Sequence, residues 1–68
     1  MASYYRNRNA QLNGDHEVHR SDCYYLPIAA NQHYLGEFNS CFEAVATAKA
    51  YDLTADGCAY CSPACHTR

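Results

Sequence analysis

Tryptophan is missing from this 68-residue chain, and long aliphatic runs are missing with it. Only Leu12, Val18, Leu26, Ile28, Leu35, Val45 and Leu53 carry branched aliphatic side chains, with Phe38 and Phe42 beside them. The hydrophobic fraction of 49% is made up largely of Ala and of 7 Tyr. Burying a full-sized apolar side chain is worth roughly 1.5–3 kcal/mol, so these few residues make a thin core. Chains of this size with thin cores usually need a cross-link, a metal or a partner. Basic charge is also scarce. Lys49 is the only lysine, and the formal net charge is −2. A broad phosphate-binding surface needs clustered Lys and Arg, and only Arg6, Arg8 and Arg20 are even loosely grouped. No stretch approaches the roughly 18 apolar residues of a membrane span. The first residues, Met1-Ala2-Ser3-Tyr4-Tyr5-Arg6, contain no apolar segment of signal-peptide type. A cytoplasmic location is therefore expected, in which thiols stay reduced and clustered cysteines more often bind metal than pair.

Against these shortages stand 5 Cys and 4 His. The odd cysteine number speaks against a fully paired disulfide framework. Their spacing is more informative. His19-x3-Cys23 lies upstream, and Cys58-x-x-Cys61 lies near the C-terminal end. Structural zinc takes four Cys or His ligands in a tetrahedron, with two short pairs separated by a structural insert. The pattern predicts one Zn2+ site built from His19, Cys23, Cys58 and Cys61.

The intervening pattern predicts an α+β fold forming one small domain. Residues 3–11 read as a strand, Leu12-Asn13-Gly14-Asp15 as a hairpin turn, and Glu17–Arg20 as the returning strand. Alternation puts Glu17 and His19 on one face of it and Val18 and Arg20 on the other. Pro27 argues against a central strand over 24–28, and residues 29–33 read as loop. A short third strand is expected over 34–38. A helix is expected over about 41–51, with Ser40 and Glu43 forming a capping box and Phe42, Val45, Ala46 and Lys49 along one side. Asp56-Gly57 reads as a turn into the Cys-x-x-Cys knuckle, and Ser62-Pro63 as the start of a last helical turn.

The run Asn7-Arg8-Asn9, then Glu17-Val18-His19-Arg20-Ser21-Asp22-Cys23, Phe38, Glu43-Ala44 and Gly57-Cys58-Ala59-Tyr60-Cys61 resembles the Ada-type metal-binding domain. The likeness is to variants with a Val-x-His-x3-Cys first half, and it covers roughly residues 4–61. It implies a hairpin, a helix and a Cys-x-x-Cys turn around a tetrahedral zinc. In the DNA-repair members of that family the first half is Cys-x3-Cys, and its first cysteine accepts a methyl group from DNA phosphotriesters. His19 stands at that position here and supplies no thiolate nucleophile, so the likeness implies the zinc site without the alkyl transfer.

The remaining residues have plainer readings. His16 reads as solvated, His33 as a loop residue, and Cys41 as a small buried hydrophobe at a helix start. Cys65 and His66 are candidates for a local set with Cys58 and Cys61, and Cys41 with Cys65 for a disulfide under oxidation. The tyrosines read as core, the alternative being a stacking platform for single-stranded nucleic acid. Function is expected to be that of a non-catalytic zinc-stabilised module acting through a partner, more readily protein than nucleic acid. The alternatives are a single-stranded nucleic-acid or DNA-binding module, and a thiol-reactive redox protein using Cys58/Cys61 or Cys41/Cys65.

Overall fold

Among the described residues, strands β1 (Ala2–Asn7), β2 (His16–Arg20), β3 (Gln32–Phe38) and β4 (Ala55–Gly57) form one mixed sheet in the order β3-β1-β2-β4. The fold is taken from a computed structural model, which describes residues 1–11 and 14–67. Strand β1 (Ala2–Asn7) pairs antiparallel with β2 (His16–Arg20), with Tyr4 opposite Arg20, Tyr5 opposite His19 and Arg6 opposite Val18. This is the hairpin that the sequence predicts. Leu12 and Asn13, on which its Asn-Gly turn falls, lie outside the described residues. The first strand is shorter than the expected 3–11. The Asn7 Oδ1 accepts from the Asn9 backbone N–H at 2.9 Å, a local turn that draws the chain out of the ladder.

Strand β3 (Gln32–Phe38) pairs antiparallel with the other edge of β1 and begins two residues before the expected 34–38. Its register slips by one residue between Tyr4 and Tyr5, so that Tyr4 faces Gly36 and Tyr5 faces Tyr34. Gly36 sits at φ +129, and a Cβ there would meet the Phe38 ring at 3.3 Å. Glycine thus allows both the bulge and the return of Phe38 toward Tyr4, whose ring centroid is 6.2 Å away.

Helix α1 (Cys41–Ala48) follows. It is shorter than the expected 41–51, because the chain tightens at its end. The Ala50 and Tyr51 N–H groups donate to Thr47 and Ala48, three residues back, the bonding of a 3₁₀ turn. Asp52 then receives both the backbone N–H and the hydroxyl of Thr54 and ends the element. The Ser40 backbone is extended, as at an N-cap, but its side chain makes no capping bond. The expected capping box is therefore not formed. Ala44, Val45 and Ala48 are buried. Phe42, expected on the packed side, is 63% exposed, and lines an open groove with Val45, Ala46 and Lys49 instead.

Strand β4 (Ala55–Gly57) lies parallel to β2 where a turn alone was expected. Three residues are too short to show a periodicity of two. The ladder continues into the knuckle through the Cys58 N–H, which donates to the Val18 carbonyl at 3.0 Å. The core lies between α1 and the sheet: Tyr4, Val18, Ala44, Val45, Ala48, Ala55 and Cys65 are buried together. The tyrosines do not build it as expected. Tyr4 alone joins it, and Tyr24, Tyr25, Tyr34, Tyr51 and Tyr60 are exposed. A disulfide between Cys41 and Cys65 ties the start of α1 to a 3₁₀ turn over Pro63–Cys65. No helix among the described residues is long and apolar enough to cross a membrane.

Candidate metal centre

Val18 and His19 are both fully buried, on opposite faces of β2. Val18 enters the core under α1. His19 turns the other way, toward the loop after β2 and the segment after β4. Cys23 enters from a tight turn closed by its own N–H, which donates to the Arg20 carbonyl at 2.9 Å. Cys58 and Cys61 come from the knuckle after β4, which the Ser62 N–H closes by donating to the Cys58 carbonyl at 2.9 Å. Gly57 admits the close approach that this needs. A Cβ there would fall 2.6 Å from the Cys65 Cβ and 2.9 Å from the Ser62 carbonyl oxygen.

The four sequence-predicted ligands converge. One ligand atom from each of His19, Cys23, Cys58 and Cys61 lies within 4.8 Å of all the others. The Cys23 and Cys58 sulfurs are 3.9 Å apart. A zinc–sulfur bond of about 2.3 Å in a tetrahedron puts two sulfurs about 3.8 Å apart, so this edge has the length required. Two backbone N–H groups already aim at sulfur: Arg20 donates to Cys61 Sγ at 3.3 Å and Tyr60 to Cys58 Sγ at 3.4 Å. Such bonds favour thiolate over thiol.

His19 supplies the second test of fit. Neither ring nitrogen has a hydrogen-bond partner, although the side chain is 1% exposed. A buried polar atom without a partner is costly, and a ligated cation removes that cost. Burial lowers the His19 pKa, with the Glu17 carboxylate opposing. The imidazole is thus held neutral, the form that ligates. Burial also pushes the Cys23 thiol up to about 12, with the hydrogen bond to Cys61 adding to the shift. Burial raises Cys58 as well.

Other arrangements do not assemble. The local set of Cys58, Cys61, Cys65 and His66 is broken, because Cys65 is bonded to Cys41 and the His66 Nδ1 lies 3.0 Å from the Gly57 carbonyl. Cys58-x-x-Cys61 follows a short edge strand and opens no helix, unlike a thioredoxin-type motif. The raised thiols are also opposite to a reactive cysteine, whose pKa is depressed. Glu17, His19 and a thiol stand in the order of a nucleophilic triad, but here three sulfurs gather about one buried imidazole.

The sequence misassigned two histidines. His16, expected in solvent, is half-buried, its Nδ1 2.9 Å from the Asn7 carbonyl and its Nε2 2.6 Å from Asp52. His33 lies in β3, where its Nδ1 accepts from Arg6 Nε at 3.2 Å and its ring meets Tyr51 edge-on at 4.5 Å. The three loosely grouped arginines are each engaged: Arg6 with His33, Arg8 Nε with the Gln32 carbonyl at 3.2 Å, and Arg20 with Asp22 at 2.6 Å. Beside the Cys/His cluster, the Tyr25 ring lies tilted against Tyr60 with centroids 4.3 Å apart and meets Tyr24 edge-on at 5.2 Å.

Compared with protein-family models, curated proteins and solved structures, the chain matches none of them. The Cys/His cluster is compatible with a small metal-binding module on an α+β frame.

Proposed function

We propose that this chain is a zinc-stabilised, non-catalytic module that presents a surface to a protein partner. The observation that carries this reading is the convergence of His19, Cys23, Cys58 and Cys61 around one point. Three sulfurs and an imidazole are the donor set of structural zinc, and four protein ligands leave no open position for a reactive water. The thin core supports the same reading, because among the described residues it holds only seven buried ones, three of them alanines, and none of the four cluster residues is among them. The Ada-type likeness fits this donor set, and His19 in place of the methyl-accepting cysteine argues for structure over alkyl transfer.

The surface beside the site supports a protein partner. Tyr24 is 92% and Tyr60 71% exposed, and both flank metal ligands in the chain. Exposed tyrosines with little charge suit protein interfaces. The same rings would stack on bases, but the engaged arginines offer little to a phosphate backbone. A cytoplasmic location suits three thiolates.

The test is the mass of the natively purified protein. The expected result is an excess of one zinc, lost on chelation together with the β-sheet signal in circular dichroism. Ligation displaces protons from thiols, so uptake strengthens as pH rises. A metal-free protein that stays folded, or one with Cys23 and Cys58 paired, would overturn the reading.

A further inference from the structure

One residue beside the metal site has no role in the ligand set. Glu17 and His19 share a face of β2, two positions apart, so their side chains stand side by side along the strand. The Glu17 Oε1 lies 3.4 Å from His19 Nε2. It is within ionic reach but outside hydrogen-bond geometry, because neither ring nitrogen has a hydrogen-bond partner. The Glu17 side chain is itself largely shielded, at 19% exposure, which strengthens an electrostatic contact relative to one in water.

A neutral imidazole has one N–H and one lone pair, and each needs an opposite kind of partner. The three sulfurs and the ion they hold call for the lone pair. The carboxylate calls for the N–H. With Nε2 the ring nitrogen found within ionic reach of Glu17, the two demands assign one tautomer. We propose that Glu17 positions His19 by accepting its Nε2–H, so that the ion is bound through Nδ1. This rests on the metal reading above. Glu17 is a positioning residue: it adds no fifth ligand, fixes the ring's orientation, and makes Nδ1 a better donor by drawing on the proton across the ring. The 3.4 Å contact then shortens to a hydrogen bond once the ion fixes the ring.

Two measurements test this, on the whole chain. Long-range ¹⁵N correlation spectra of the zinc-loaded protein read the two His19 nitrogens directly, without any substitution. The expected pattern is a protonated Nε2 and a metal-shifted Nδ1. Competition with a chromophoric zinc chelator then compares wild type with Glu17→Gln and Glu17→Ala. Partners of ligating histidines typically contribute about 10–100-fold in metal affinity. Glu17→Ala should lose an amount in that range, and Glu17→Gln, which still accepts a hydrogen bond, should fall between it and wild type. A metal-bound Nε2, or three indistinguishable affinities, overturns the role of Glu17 and leaves the site standing. Failure of the wild type to take up zinc overturns the site and this inference together.

Discussion

The two faces of β2 are stabilised by different chemistry. On one face Val18 lies beneath α1 among alanines, Val45 and Cys65, and a disulfide ties that helix to the last turn. On the other face His19 meets three sulfurs. The first face is apolar and covalently linked, and its hold needs no ion. The second collects polar atoms whose burial is unfavourable until something binds them. Adjacent residues of one strand, 18 and 19, thus enter two different kinds of core. A sheet this small has no layer of large aliphatics for its second side, and a Cys/His cluster that could hold a metal ion stands in its place.

The largest test of that contrast breaks each hold in turn. Structural zinc sites contribute apparent free energies of roughly 10–16 kcal/mol at neutral pH, comparable to or above the whole net stability of an ordinary domain. Cys58→Ala should therefore abolish folding at ambient temperature, read as loss of the cooperative urea transition. The Cys41–Cys65 loop spans 24 residues. Closing a loop of that size is worth about 3 kcal/mol, so Cys41→Ala with Cys65→Ala should lower the urea midpoint while zinc stays bound. The reverse ranking would make the helix side the dominant hold.

Gly57 lies at the junction of the two regions, and it sharpens the comparison. Its missing Cβ lets Cys65 and the Ser62 carbonyl close over β4. Gly57→Ala forces an atom into backbone, which cannot rotate away. Overpacking costs about 1–3 kcal/mol, and this contact belongs at the upper end. Because Gly57 precedes Cys58, the displacement should be read in both places, as a lower urea midpoint and as weaker zinc retention. A lower midpoint with unchanged zinc affinity would show that the two regions are mechanically independent.

The metal side was the more legible in the sequence. His19-x3-Cys23 and Cys58-x-x-Cys61 are short local spacings that thiolate and imidazole chemistry restricts, so four letters identify the cluster. Glu17 was legible only as a neighbour of His19 on the same face, because its contact depends on how the ring turns. The helix side was less clear. Cys41 and Cys65 carry no spacing rule, so the sequence leaves their disulfide as one candidate beside a buried thiol at Cys41 and a local metal set with Cys65. Strand β4 has three residues, and parallel pairing with β2 is a tertiary fact that Ala55-Asp56-Gly57 does not encode. The tyrosines misled because an amphipathic ring suits core and surface equally, and here α1 covers only Tyr4.

The smallest expected effect lies at the end of the sheet, away from both holds. Asp52 accepts the hydroxyl and backbone N–H of Thr54, and its carboxylate also stands 2.6 Å from His16 Nε2 and 4.0 Å from Arg6. These partners, the Thr54 hydroxyl first, hold its pKa below the usual carboxylate value. A carboxyl group depressed on folding stabilises the native state above its unfolded pKa, and that contribution is lost as pH falls through the folded value. The Asp52 side chain keeps some contact with solvent, at 22% exposure, which screens the charge and makes the effect modest. Asp52→Asn keeps an oxygen for Thr54 but removes the charge. It should flatten the acid side of the stability profile below about pH 4, without altering zinc binding at neutral pH. An unchanged acid slope would assign the acid sensitivity to ligand protonation alone. The metal face would then govern the pH response of the whole fold, and the end of the sheet would contribute none of it.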